Sequence, residues 1–366
     1  MVLGHARFYE RIEMAQIETD SISVPADTVR VFAVDCFERL GLKAEDAYLV
    51  ADSLVESNLR GIDSHGVARL LHYANRIKHG SIETRPEIQF SKLTPSLGKI
   101  DGGHGLGQLA MHRATGEAIQ MAKEVGSAWV AVENSTHCGA LAYYGLQAAR
   151  QGMMAIVFTH ADSMVVPYAA KHAFCGTNPI CIAAPGATEE STMCLDMATS
   201  VVPWNTVANA AIEGVSIPEH WGVDAAGVAT TDPEKVRGVR AFGEYKGSGL
   251  GLMIEVFCSM LMGSPFGPHI APMYGDPTQR RHLGGLVGVI DVRRFRDLDA
   301  FTGSIARMGQ EWNAQEPVDE TEPVLFPGQR EIMTRRQRLC EGIPLGVKVC
   351  EAFHALGEEL NVRFAL

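Results

Sequence analysis

The sequence predicts an α/β body in which helices from both chain ends pack together beside a strand-rich middle. Three observations carry this. Apolar residues recur at helical spacing from about residue 24 to 89, short strand-like and helical runs alternate through the centre, and the tail from about 297 is helical again. The 366 residues are long enough to bury a substantial core and suggest more than one lobe. The division that follows is a helical lobe of residues 22–90 plus 297–366 and a sheet-containing region of residues 91–296.

Pro25 and Asp27 mark the first helical start, and "KHGSIETRP" ends that helical stretch. "AEDAYLVADSLVESNLR" is amphipathic, Gly61 breaks it, and Ser64 is placed to cap a second helix running "HGVARLLHYANRIKHG". "PSLGKIDGGHGLGQLAMHRATGEAIQMAKEVG" reads as strand, glycine-rich turn and helix. "AWVAVENS" and "MMAIVFTH" are strand-like, with the helix "GALAYYGLQAARQG" between them. "CGTNPICIAAPG" and "STMCLDMATS" supply further strands, and "PWNTVANAAIEG" returns to helix. A loop rich in Asp, Gly and Pro leads to a glycine-led helix over 246–263, and "GGLVGVIDVRRF" is another strand.

Composition excludes several classes. A net charge of −11 gives no basic footprint for nucleic acid, since the Lys and Arg clusters are short and scattered. Eight cysteines without a CxxC pair read as reduced thiols of a cytoplasmic protein. The segment "MVLGHARFYERIEMAQIETD" has no long apolar stretch and is not expected to be a secretory signal. The longest apolar run, "LGLMIEVFCSMLMG", carries Glu255 and is too short to span a bilayer, so no membrane partner is expected.

"GIDSHGVARL" concentrates reactive groups beside buried helix. His65, Arg69 and Tyr73 stand at i, i+4 and i+8, so a base, a cation and an aromatic share a stripe suited to a small anion. His137 in "ENSTHCG" lies where a strand meets a helix, with Asn134, Ser135 and Thr136 as capping candidates, and an imidazole there suits acid–base work. Asp196 in "CLDMATS" could orient an imidazole, bind ribose hydroxyls or cap a helix. Lys246 precedes the glycine-rich "KGSGLGL" helix start, a phosphate-cradle pattern. Neither glycine-rich loop satisfies G-x-G-x-x-G, and no Walker A pattern occurs. A metal reading would join Asp63, His65 and His137, although no wider ligand cluster is evident.

In order along the chain, "GIDSHGVARL", "STHCGALAYYG", "SMVVPYAA", "CGTNPICIAAPG", "LDMATSVVPWNTV", "IPEHWGVDAAGVATTDP" and "YKGSGLGLMIEVFCSMLMG" resemble the malate/L-lactate dehydrogenase-like family of NAD(P)-dependent oxidoreductases. The pattern is most similar to that of its ureidoglycolate dehydrogenases. The resemblance implies a mixed, largely antiparallel central sheet in a non-Rossmann cofactor domain, with 91–296 as the cofactor-binding and substrate region. It also implies a homodimer or higher homo-oligomer with the site near a subunit boundary. The implied reaction moves hydride between nicotinamide and the carbon next to the carboxylate of a small 2-hydroxy or 2-oxo acid, with NAD favoured over NADP. The alternative it offers is a cyclic imino acid reductase.

By motif, His137 matches the acid/base, while Ser64 and His65 match a Ser-His pair that Asp196 would complete as a relay. Ala161, Asp196, Met197, Ala198 and Lys246 fall at cofactor positions, and Arg69, Tyr73 and Arg281 are where a substrate carboxylate would be held. No metal is implied. Cys138 and Asn205 depart from the usual family residues. His137 is preferred over His65 for proton transfer, because Arg69 is near His65 in sequence and no cation adjoins His137.

Overall fold

The computed structural model describes residues 21–365. The reading of "MVLGHARFYERIEMAQIETD" concerns residues outside that range. β1 (Ser21–Val24) leads into α1 (Ala26–Arg39), which follows Pro25 and carries Asp27 in its first turn, where a carboxylate complements the helix dipole. α2 (Ala44–Leu59), a 3₁₀ turn at Asp63–His65 and α3 (Arg69–Lys78) follow. Val29, Phe32, Ala33 and Phe37 of α1 bury against Val50, Leu54, Val55 and Leu59 of α2. The C-terminal end completes this cluster with Val349, Phe353 and Leu356 from α10 (Val347–Leu360).

Two strands in this part depart from the helical expectation. β12 (Ile343–Gly346) pairs antiparallel with β1, Ser21 opposite Gly346 and Val24 opposite Ile343. Four-residue strands carry too little alternation to be read, and each has its partner at the other end of the chain.

The centre is a seven-stranded sheet. After β2 (Gln89–Lys92) and β3 (Leu97–Asp101) come α4 (Gly107–Val125), β4 (Ser127–Ser135), α5 (Ala142–Ala149) and β5 (Met153–Thr159). The short β6 (Val165–Val166) precedes β7 (Ile180–Ala184) and β8 (Met193–Met197), then α6 (Trp204–Glu213), β9 (Gly222–Val223), β10 (Gly238–Arg240), α7 (Tyr245–Cys258) and β11 (Leu283–Asp291). The order is β2-β3-β4-β11-β5-β7-β8, antiparallel except for the parallel β3–β4 pair, while β6, β10 and β9 form a separate small sheet.

Strand alternation builds three layers. Val130, Val132, Ala155, Val157, Val287 and Val289 face α4 and α5, and Ala131, Phe158 and Leu286 meet Ile254 and Cys258 of α7 on the opposite face. In the tail, α8 (Leu298–Asn313) packs beside the turns at Glu189–Ser191 and Val292–Arg294, and α9 (Gln329–Glu341) lies on α2. Among the described residues no helix is long and apolar enough to cross a membrane.

Candidate active site

The catalytic candidates converge where the helical lobe meets the ends of β4, β5 and β8. Beyond β4 the chain turns through Thr136, whose hydroxyl accepts from the Gly107 amide (3.1 Å) and donates to Gly105 O (3.1 Å). A Cβ on Gly107 would stand 2.3 Å from the Thr136 carbonyl, so only glycine lets α4 start this close to the loop. That contact fixes the backbone of His137.

The imidazole of His137 is held from behind. Tyr73 Oη lies 2.7 Å from Nδ1, Gln108 Nε2 donates to Tyr73 Oη (3.0 Å), and the Gly139 amide also points at Nδ1 (3.4 Å). Donors running into Nδ1 leave the proton of a neutral ring on Nε2. Tyr73 is 1% exposed and absent from the cavity wall, so it acts behind the histidine rather than on a substrate carboxylate. Its place in the stripe was legible, but its partner was not.

His65 sits in the 3₁₀ turn with Nδ1 2.9 Å from Ser64 Oγ, and its ring stacks on His137 with centroids 5.4 Å apart. Ser64 is therefore not a helix cap. α3 begins at Arg69, and Asn58 Oδ1 takes the Val67 amide (2.7 Å) that a local cap would have served. Asp63 is bound by Arg338 through both oxygens (2.6 and 3.0 Å) and by Asn58 (2.6 Å). That pairing removes the carboxylate on which the metal reading relied.

Both catalytic candidates are neutral at ordinary pH. Burial, then Arg69, pushes His65 down to about 3. His137 also lies well below the usual histidine range, through burial first and then His65, Arg69, Arg281 and His72. No cation adjoins His137 in sequence, but the fold brings to it guanidiniums distant in sequence, so that argument does not separate it from His65.

Those guanidiniums share one cavity of about 250 Å³, lined also by Ser64, His65, His137, Ala161, Thr177, Asp196, Met197 and Ala198. Arg69 donates to Ser64 O (2.7 Å) and to Tyr274 Oη (2.7 Å), which in turn donates to Asn205 Oδ1 (3.3 Å). Arg281, 3% exposed, donates from Nε to Ala271 O (3.0 Å) and pairs with Asp162 through Nη2. Asp162, Tyr274 and Gln108 were missed in the sequence, as none stands in a motif that marks it. Asn205 was noted only as a departure.

Asp196 ends β8 and accepts the Ala142 amide (2.7 Å), so it caps α5 from a neighbouring strand in place of Asn134, Ser135 or Thr136. Burial raises its carboxyl to about 6. It makes no hydrogen bond to His65 among the described residues, so the Ser-His-Asp relay is not assembled here. Lys246, exposed in the first turn of α7, also lies outside the cavity lining. On the far side of Asp196 a second hollow of about 240 Å³ shares Ile62, Asp196 and Glu331 with the first and adds Arg60, Phe326, Pro327, Gly328 and Arg330.

The malate/L-lactate dehydrogenase family profile matches residues 24–354. The ureidoglycolate dehydrogenase (NAD(+)) of Escherichia coli O157:H7 is 37% identical over 305 residues, covering 83% of this chain and 87% of that protein. The malate dehydrogenase of Pyrococcus horikoshii is 35% identical over 360 residues, covering 96% and 99%. The crystal structure of malate dehydrogenase from Entamoeba histolytica superposes with a TM-score of 0.89 at 27% identity, covering 94% of this chain and 99% of that one. The chain belongs to the malate/L-lactate dehydrogenase family of oxidoreductases.

Proposed function

We propose that this dehydrogenase uses NAD, or NADP, to interconvert a small 2-hydroxy acid and its 2-oxo acid, of the ureidoglycolate, malate, lactate or sulfolactate kind. The observation that carries the reading is the pair of guanidiniums, Arg69 and Arg281, lining one cavity with a neutral His137. Ala140, Ala161, Ala198, Pro179 and Met197 give the cavity an apolar stretch of lining, the kind of surface that suits a nicotinamide ring. NAD is favoured by the name of the ureidoglycolate relative. When bound, the cofactor accepts or returns hydride.

The protein's own groups do the rest. Arg69 and Arg281 grip the carboxylate, and the hydrogen bond from Arg69 to Tyr274 and the ion pair from Arg281 to Asp162 fix the two forks. His137 moves the proton. As found, hydrogen bonds run from Gln108 through Tyr73 into Nδ1. Gln108 Oε1 is buried without a partner, so a half-turn of that amide lets the chain run the other way, with Nδ1–H donating to Tyr73 and Tyr73 to Oε1. Nε2 is then bare and takes the proton of the substrate hydroxyl. His65, held by Ser64, orients the substrate. Asp196, Met197, Ala198 and Ala161 contact the cofactor, with Lys246 reaching its charged part.

A row of exposed apolar side chains on and after α7 (Leu252, Met253, Val256, Phe257, Met260, Leu261) supports a homodimer or larger assembly. The free cysteines support a cytoplasmic setting. The test is a cofactor-oxidation screen with NADH and NADPH against 2-oxo acids and cyclic imino acids. Turnover confined to imino acids, or to none of these, would overturn the reading.

A further inference from the structure

Asn205 is the second residue of α6 and lines the catalytic cavity, half-buried, beside Pro203 and Trp204. Its side-chain amide ends a hydrogen-bond chain whose direction is set by chemistry. Arg69 can only donate, so Tyr274 Oη accepts from it (2.7 Å) and sends its own proton onward. The acceptor is Asn205 Oδ1 (3.3 Å). With the amide oxygen turned to Tyr274, Nδ2 faces away, and its two N–H donors have no acceptor among the described residues.

The rest of that wall has the same polarity. Asp162 is engaged by Arg281, and Asp196 and Glu331 stand in the part of the lining shared with the second hollow. The stretch formed by Arg69, Tyr274 and Asn205 therefore offers a substrate donors rather than carboxylates. A group that only accepts hydrogen bonds suits it, whereas a methyl leaves the Nδ2 donors unpaired. The charge of Arg69 also acts along the chain, polarising the hydroxyl and then the amide, which strengthens the last donors toward an anion.

We propose that Asn205 is a specificity-determining residue, whose Nδ2 group binds an anionic group beyond the reacting carbon while Arg69 and Arg281 hold the carboxylate next to that carbon. The inference rests on the reading of the catalytic cavity given above and narrows its substrates to those with an acidic group at both ends. A second carboxylate or a sulfonate has the required acceptors and no donor.

The experiment compares three acids that differ at the far end, using the full chain: malate, its C4 amide, and lactate, which ends in a methyl. Oxidation with NAD and with NADP gives kcat/KM, and titration calorimetry without cofactor gives affinity. The wild type should favour malate over the other two. Asn205→Asp keeps the size and the acceptor for Tyr274, places a carboxylate where the start of α6 favours one, and exchanges only the donors for an acceptor. It should lower the malate-to-lactate ratio in both measurements about ten- to a hundredfold, the effect of losing a hydrogen bond to a charged group. It should also prefer the amide to malate, because the N–H groups of the amide then meet a carboxylate. That reversal is a gain which loosening of the fold would not produce. Asn205→Ala, a good helix residue, should give a malate-to-lactate ratio between the two. A wild type that favours lactate, or ratios within about twofold of wild type in both variants, overturns the role of Asn205 while oxidation of these acids keeps the dehydrogenase reading. The expected shifts in binding, shown by a protein that oxidises none of the three, uphold that role and overturn the reading.

Discussion

Tyr73→Phe removes one oxygen from the chain behind His137 and leaves the ring in place. In proton transfer Tyr73 must accept from the Nδ1–H of an imidazolium, and in the resting state it donates to a neutral ring. A hydrogen bond to a charged partner contributes about 1.5–3 kcal/mol and one between neutral groups about 0.5–1.5. The variant therefore penalises the charged form by roughly 1–1.5 kcal/mol more, close to one pKa unit and about tenfold in rate. With oxidation followed across pH, kcat should drop about tenfold and the acid limb of its profile should move about one unit lower, since the base must be unprotonated to act. NADH affinity should stay as it was, because Tyr73 is not in the cavity wall. An unchanged kcat together with an unmoved acid limb, or a limb displaced upward, would refute the assignment of Tyr73 as the group that carries His137 between its two states.

His137→Asn should lower kcat by about 10²–10⁴-fold with cofactor binding intact, while His65→Asn should chiefly raise KM for the acid; steady-state kinetics on both decides which imidazole moves the proton. Asp162→Asn leaves the buried Arg281 guanidinium uncompensated and should destabilise the fold by about 3–5 kcal/mol in urea unfolding, with weaker binding of the acid. An unreactive dicarboxylate such as oxalate brings negative charge to Arg69, Arg281 and two imidazoles that burial and cations hold neutral, so it should raise their pKa values. Its binding then takes up protons and tightens as pH falls toward the depressed values of the free imidazoles, which calorimetry in buffers of different ionisation enthalpy can read. In the ligand-free protein the same depressed imidazoles make the unfolded chain bind more protons below pH 6.5. Stability should fall as pH drops from there toward 3, and His65→Asn should flatten part of that slope in thermal melts.

The layers were legible because β4, β5 and β11 alternate cleanly, one set of side chains for α4 and α5 and the other for α7. His137 was legible because a strand end carries it to a junction, and Arg69 because its stripe is local. What escaped detection depends on pairs distant in sequence. Arg281 meets Asp162, a partner 119 residues away, and Tyr73 meets His137, 64 away. Asp196 displays all the chemistry of a relay, yet the amides at the start of α5 claim it first.

The β1–β12 pairing makes the order of synthesis matter. Val24 leaves the ribosome more than three hundred residues before Ile343, so the first helices must wait for the last ones before their apolar faces are covered. A chain halted just short of residue 343 would contain every catalytic candidate and still lack the strand that pairs with β1 and the last helix that covers the helical core. Such a fragment should be a chaperone client or a protease substrate rather than a weak enzyme. The slow step in refolding is then closure of the two ends rather than assembly of the central sheet.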